Sequence, residues 1–306
     1  MTRRHRRPAR LTPRARRALL GTAMVAVLAP VAGVALASAI GDVNECRETV
    51  TVHVAAAPEI APVLRQHAAT WAAEARPTDG TCVTAEVTTV ESAQTAAAFA
   101  AAAGADVDLA DTPAAPGDLP DVWVPESLTW PARLAGEGVS PFDARMDPVA
   151  AGPLGLAVPE GRWELAAEGM ALGDTTVALQ DPRIDAASLA LLMTARSAGA
   201  SPRYDAGGAV PMSAAGVAAH NTAETGTPLR LVSPSPAMPL FEYPYVTTAD
   251  RSPMVHRGVD IFRSSLLTDS FAALLPAFGL RLAGPYPSMP DPAEIQAAID
   301  DWHGRG

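Results

Sequence analysis

The chain has 306 residues, 48% of them hydrophobic, two cysteines and a formal net charge of −10. Every basic side chain that is not histidine is arginine, which excludes a Schiff-base or pyridoxal-phosphate lysine, a Walker-type phosphate loop and a Ser-x-x-Lys nucleophile. Eight of the 23 arginines fall in the first seventeen positions, so the chain beyond residue 40 sets 15 basic residues against 33 acidic ones, a field that argues against nucleic acid and anionic lipid as its main ligand.

The basic segment 1–17 precedes an uncharged run from Ala18 to Ile40. About 20 apolar residues suffice to cross a bilayer as a helix, and flanking arginines stay on the cytoplasmic side. The run is therefore expected to be a transmembrane helix or uncleaved signal anchor. This places the protein in the cell membrane as a single-pass chain, N-terminus cytoplasmic and C-terminal domain extracellular. Ala35-Leu36-Ala37 and Ala37-Ser38-Ala39 would also serve a signal peptidase, so cleavage is the alternative. Lipidation of Cys46 is disfavoured by the residues before it, Val43, Asn44 and Glu45. In an oxidising compartment Cys46 and Cys82 read as one disulfide; a metal pair is disfavoured because no His or further Cys stands at ligand spacing.

Thr49 to Ala55 alternates, with Val50, Val52 and Val54 on one side, which predicts a strand. Pro58 is expected to open a helix with Glu59 in its first turn and Ile60, Val63, Leu64, His67 and Trp71 as its apolar stripe. Val83–Val90 reads as a second strand, and Ser92 as the cap of an alanine-rich helix to about Ala103. Asp121–Val124 reads as a third strand, ended by Pro125 and followed by a turn holding Leu128, Trp130 and Leu134. Strand–helix alternation implies a parallel sheet covered on both faces, with the two cysteines at one end of neighbouring strands.

Residues 139–153 read as a boundary and Leu154–Val158 as a short apolar segment. Further elements are a strand at Thr176–Leu179, a helix from Asp185 to about Arg196, a loop over 197–212, a short helix capped by Ser213, and a strand at Leu229–Val232. Met238–Thr247 reads as an extended crossing segment. The end is helical: Val255, Val259, Phe262 and Leu266 share one face, Asp269–Phe278 is closed by Gly279, and Asp291-Pro292-Ala293-Glu294 starts a last helix.

Val54–Leu64, Pro120–Ser127, Leu179-Gln180-Asp181-Pro182-Arg183, Glu242–Val246 and the stretch from Leu266 to Arg281 together resemble, in order over about residues 48–303, the type II extracellular solute-binding domain of actinobacterial surface proteins, related to molybdate and sulfate binders. In many such proteins a von Willebrand A domain follows. This sequence ends at Gly306 without an Asp-x-Ser-x-Ser motif, so metal-dependent adhesion is not carried over. The resemblance implies an α/β, two-lobed periplasmic-binding-protein type II fold with parallel-rich sheets, preceded by the transmembrane helix. Lobe 1 would hold about 46–150 plus 248–303, and lobe 2 about 154–237. Leu154–Val158 and Met238–Thr247 would be the crossings. A small-molecule ligand would sit in the cleft between lobes and be captured, without catalysis, by hinge closure. The partner would be a transporter permease or, if the fold serves interaction or sensing, an envelope protein.

The candidate cleft residues are Ala57, Glu59, Glu126, Ser127, Asp181 and Tyr243. Helix N-termini attract anions, yet Glu59, Glu126 and Asp181 already set carboxylates there. The expectation is a cationic or polyhydroxylated ligand, or a protein segment, rather than molybdate, sulfate or phosphate. The competing reading is that these acids only stabilise helix starts. Tyr243, Tyr245, Trp123 and Trp130 could line the cleft but suit the core better. Ser188 is a weaker polar candidate than Ser127. His67 reads as a satisfied core residue and His53 as lying on a sheet face. No His-x-x-x-His pair and no Gly-x-Ser-x-Gly elbow occurs, so no catalytic residue, metal site or cofactor is expected.

Overall fold

The structure, a computed structural model, describes residues 46–74, 77–78, 80–223, 226–284 and 288–304. The expected basic segment 1–17 and membrane helix 18–40 lie outside these residues. Among the described residues no helix is long and apolar enough to cross a membrane. The chain divides into a small unit, residues 1–49 with 76–82, and a large one, residues 50–75 with 83–306.

In the small unit Cys46 and Cys82 form the expected disulfide, with Cα atoms 5.4 Å apart. It closes a loop of 36 positions, worth about 3–4 kcal/mol on the chain-entropy model. The backbone N–H groups of Arg47 and Glu48 both donate to the Gly80 carbonyl, at 2.8 and 3.2 Å.

The large unit is built on two sheets. In the first, β1 (Glu48–Ala56) lies between β2 (Thr81–Thr89) and β3 (Val122–Val124), and β10 (Val246–Thr247) forms the edge beyond β3. β1 and β3 are parallel, with Val54 opposite Val122 and Ala56 opposite Val124; β10 is antiparallel to β3. Val50, Val52 and Val54 are buried as the alternation predicted, while His53 faces solvent beside Glu86. Helix α1 (Ala61–Glu74) begins three residues later than Pro58; residues 58–60 form a turn whose bonds run from the Ile60 and Ala61 N–H groups to the Ala57 carbonyl. Its stripe is buried except for Trp71, which is half-buried, and His67 is satisfied in the core: Nε2 lies 2.9 Å from the Ser265 hydroxyl, and the ring packs edge-on to Phe271. Helix α2 (Ser92–Ala103) ends on Gly104 in the left-handed conformation. The expected turn after Pro125 is a helix, α3 (Thr129–Gly136).

The second sheet departs from the parallel expectation. Its central strand, β4 (Gly152–Pro159), is flanked antiparallel on both sides by β7 (Val210–Ser213) and β8 (Leu229–Val232). The reason is connectivity. β7, α5 (Ala214–Ala223) and β8 form a strand–helix–strand unit whose strands leave room for β4 between them, running the other way. The expected loop over 197–212 therefore contains a core strand. It also contains β6 (Arg203–Tyr204), which pairs parallel with the short β5 (Thr176–Val177). Helix α4 (Ala186–Ala198) follows β5, with Asp185 as its cap: the carboxylate accepts the Ser188 N–H at 2.6 Å.

Leu154–Val158 thus lies inside β4, a buried strand of the second sheet. At its start and just before it, a second segment pairs with the chain. Gly152 opposes Phe241 and Pro153 opposes Leu240 of β9 (Leu240–Phe241), and single bridges join Pro148 to Pro244 and Phe142 to Thr248. Residues 142–153 and 240–248 run side by side between the two sheets.

The chain closes with α6 (Pro253–Ser265), α7 (Asp269–Leu274) and α8 (Pro292–His303). Helix α6 is capped by Ser252, whose hydroxyl accepts the Val255 N–H, and packs tightly on β1: a Cβ at Gly258 would stand 2.8 Å from a Val50 methyl. Helix α8 packs against both α3 and α4, burying Ile295, Ala298 and Ile299 on Ala132, Leu189 and Leu192.

Gly155 shows how tightly the second sheet is drawn. A Cβ there would lie 2.5 Å from the Val232 carbonyl oxygen, a backbone atom that cannot rotate away. Gly155→Ala is expected to destabilise the protein by about 1–3 kcal/mol, the usual cost of forced overpacking. A thermal melt unchanged within error would refute this.

Candidate functional site

Four acidic side chains from three helix starts and one strand end come within electrostatic reach of one another. Glu59 stands in the turn before α1, Glu91 just before α2, Glu126 two residues beyond β3, and Asp185 before α4. The first three follow strands of the first sheet; Asp185 comes from the segment that follows β5.

Glu59 has protein around nearly all of it, yet its side chain keeps some solvent contact. Its carboxyl is pushed up to about 8, first by burial and then by the charges of Glu126, Glu91 and Asp185; its own backbone N–H offsets part of this. Glu126 is buried and also raised by burial, against which the Ser92 hydroxyl and the Trp130 indole act as donors. The Trp130 Nε1–H bond is 2.7 Å long. Ser92 thus does not cap α2 as the sequence suggested; its hydroxyl is committed to Glu126. Asp185 is raised by burial, partly offset by Ser188, and Glu91 by burial and the Asp185 charge.

Tyr243 borders this group from the segment just after β9, where its carbonyl accepts the Val149 N–H at 3.0 Å. It is fully buried, and its hydroxyl finds no hydrogen-bond partner among the described residues. Burial raises it well above the usual phenol value, and the charges of Glu59 and Glu126 raise it further. The Ser213 hydroxyl is near enough to offset a little of this, but its bond of ordinary geometry is with the Gly216 N–H, at 2.9 Å.

The other sequence candidates have work within the fold. Ala57 is buried and its N–H donates to the Val124 carbonyl at 2.9 Å. Ser127 accepts the Thr129 N–H and O–H at 3.1 and 3.0 Å. Asp181 lies apart from the acid group. Burial acts to raise it, but the bonds from Arg183 outweigh this and hold it below the usual range, with Nη2 at 2.6 Å from the carboxylate. Ser188 accepts the Gln180 N–H at 3.0 Å. Trp123 stacks with Phe99 and Phe142, and Tyr245 donates to the Val259 carbonyl at 3.1 Å, so both are core. Ser127 and Glu242, the chain neighbours of Glu126 and Tyr243, line a mostly apolar cavity of about 610 Å³ floored by α4 and the 236–242 segment. Among the described residues no set of His, Cys, Asp and Glu side chains is placed to hold a metal ion.

Sequence reasoning nominated Glu59, Glu126 and Tyr243 but passed over Glu91 and Asp185. Asp185 was legible only as the start of a helix; the available signal was that a fourth helix start also carried a carboxylate.

No curated protein matches the sequence. Among solved structures, a periplasmic thiamin binding protein is similar at 11% identity with a TM-score of 0.54, covering 84% of this chain and 96% of that one. The sulfate-binding protein SubI from Mycobacterium tuberculosis H37Rv is similar at 15% identity with a TM-score of 0.50, covering 83% and 99%. At such identities the likeness speaks for the α/β fold alone. The profile of the bacterial extracellular solute-binding proteins matches residues 52–230, which hold the first of the two paired runs, 142–153, and all four acids, and end before the second run, 240–248. By that match over more than half its length, the chain belongs to the bacterial extracellular solute-binding protein family.

Proposed function

We propose that this protein is a membrane-anchored, extracytoplasmic solute-binding protein that captures a small molecule by hinge closure. Lobe 1 comprises about 46–150 plus 248–303 and lobe 2 about 154–237, and the paired segments 142–153 and 240–248 form the hinge. The anchor is the apolar run 18–40, and the partner is the permease of a transporter. What supports the reading is family membership together with one observation: carboxyl groups that follow the first sheet's strands meet one that precedes α4, beside the paired crossing. Glu59, Glu91, Asp185 and Tyr243 form the cleft wall. Glu126 supports it from behind through Ser92 and Trp130. Ala57, Ser127 and Asp181 hold the loops that carry it.

Helix α8 rests on α3 and α4 together, so opening the cleft requires it to slide on one of them. Arg133 adds a second tie, donating to the Arg183 carbonyl at 2.7 Å.

The test is a thermal-shift panel of amines, amino acids, sugars, sulfate and molybdate on the purified protein. A true ligand at a hundred times its Kd should stabilise by about 2.7 kcal/mol. A protein indifferent to every small molecule that instead co-purifies with an envelope protein would point to an interaction or sensing role.

A further inference from the structure

The cavity of about 610 Å³ has three walls. One is the stretch leading into α3, with Ser127 and Leu128; a second is α4, with Ala190, Met193 and Thr194; the third runs through Leu240 and Phe241 to Glu242. On the solute-binding reading these walls belong to lobe 1, lobe 2 and the hinge. The third is tied to the first by the Glu242 N–H, which donates to the Glu126 carbonyl at 3.3 Å. The space equals that of about twenty waters, several times what a tetrahedral oxyanion fills, and lies in the range that encloses a drug-sized molecule.

Most of the lining is apolar: Leu128, Met193, Leu240 and Phe241, with Pro236 and Pro239 at one side. Among the described residues Glu242 is the one ionisable side chain that lines it, and no basic side chain does. The Glu242 side chain is half-buried and makes no hydrogen bond or ion pair among the described residues. Its carboxyl is raised by burial, with no cation acting against it. Thr194 adds an acceptor, since its proton is spent on the Ala190 carbonyl at 2.7 Å and its oxygen keeps lone pairs for an N–H. Large volume, apolar walls and a carboxylate without a counter-charge therefore coincide in one place. A partly desolvated charge among apolar groups is costly until it is paired. A molecule with one N–H cation and an apolar body supplies both the pair and the filling.

Other occupants fit less well. Sulfate, phosphate or molybdate would meet a carboxylate, no basic side chain and far too much room. A polyamine would bring several charges to one carboxylate and no body for the walls. A sugar needs a dense set of polar partners, which this lining lacks. A metal ion would find a single acid, and no set of ligands for one exists among the described residues.

Resting on the solute-binding reading, we propose that the captured solute is an amphipathic amine, its ammonium on the Glu242 carboxylate and its apolar body against Leu128, Met193, Leu240 and Phe241. Capture is non-covalent, and the walls from both lobes meet on the same body.

Isothermal titration calorimetry of the full chain at pH 7 tests this with tryptamine and 4-phenylbutylamine. Each is set beside a neutral and an acidic counterpart of the same body: 3-ethylindole and indole-3-propionate, 4-phenylbutanol and 5-phenylvalerate. Putrescine, sulfate and glucose serve as comparisons. At least one of the two amines should bind, about tenfold or more tighter than its neutral counterpart, and its acidic counterpart should be weakest. Glu242→Gln should erase that advantage and leave the neutral counterpart within about twofold of its parent value. Ala237→Trp, at an exposed position of the lining, should fill the cavity and abolish amine binding without lowering the melting temperature. An amine that binds no better than its neutral or acidic counterpart, or one whose binding survives both substitutions, overturns the proposal. If putrescine, sulfate or glucose binds and neither amine does, this inference falls and the solute-binding role stands. If nothing in this set binds, the inference falls as well, and the wider thermal-shift panel decides the solute-binding role.

Discussion

Glu59→Gln should make the ligand-free protein more stable at pH 8, by about 1–3 kcal/mol, the usual cost of a buried group left unsatisfied. The sign follows from where the proton sits. In the unfolded chain this carboxyl ionises near its ordinary 4.5, whereas in the fold it keeps its proton to about 8. Between those values the folded state binds more protons than the unfolded one. The stability this group lends is therefore full below pH 4.5 and is lost as pH rises through 8. Glutamine never ionises, so the variant's advantage should be absent near pH 4.5, grow through pH 6 and 7, and plateau above 8. At pH 8 the melting temperature should rise by roughly 3–10 °C for a protein of this size. Raised carboxyls at Glu91, Glu126 and Asp185 act in the same direction, so the native protein should melt higher at pH 5 than at pH 8. Equal melting curves for variant and parent across this range would show that Glu59 is freely solvated.

The second large effect is expected at Arg251. Asp121, buried at the start of β3, receives Arg251 Nε at 2.7 Å on one carboxylate oxygen and the His53 N–H at 3.0 Å on the other. Arg251 Nη2 also donates to the carbonyls of Leu119 and Pro120, at 2.6 and 3.1 Å, and the Thr248 hydroxyl shares the Pro120 carbonyl. One guanidinium thus ties the strand that leads to Glu126 to the segment that follows β10. Arg251→Ala would strand a buried carboxylate and should cost about 3–4 kcal/mol, or roughly 10 °C in melting temperature. Adding Asp121→Asn should recover part of the loss, because the amide oxygen still accepts the His53 N–H and carries no charge. Arg251→Lys should do worse than the parent, since an ammonium cannot span carboxylate and carbonyls as a planar fork does. A change under 1 °C for Arg251→Ala would mean that water satisfies Asp121.

Much of the first sheet was legible because its signals are local. The Val50, Val52 and Val54 alternation and the Ile60–Leu64 stripe depend only on neighbours two to four residues away, and both came out as read. Ser92 shows where local reasoning stops. A serine before an alanine-rich run is a good cap by propensity, yet a buried carboxylate 34 positions along is a stronger acceptor for its hydroxyl than any backbone N–H is a donor to it. β7 was missed because Val210-Pro211-Met212-Ser213 is four residues long, contains a proline, and gains its pairing only from β4 more than fifty positions earlier. Gly155 and Gly208 carry the same lesson: each glycine reads as a break, and each marks close backbone approach inside a sheet region.

By itself the sequence determined the compartment reading, through arginine crowding before an apolar run and a cysteine pair, and it determined the solute-binding fold, through strand–helix alternation and the family pieces. It also placed carboxylates at successive helix starts, which a reader could count but not gather. Only the tertiary structure decided which of them share a space. Asp181 and Asp185 are four residues apart, yet one is neutralised by Arg183 and the other joins Glu59 from across the chain. The reason is physical: charge on a helix start is a local property, whereas desolvation and repulsion depend on what other segments bring within a few ångströms, and that is fixed by packing alone.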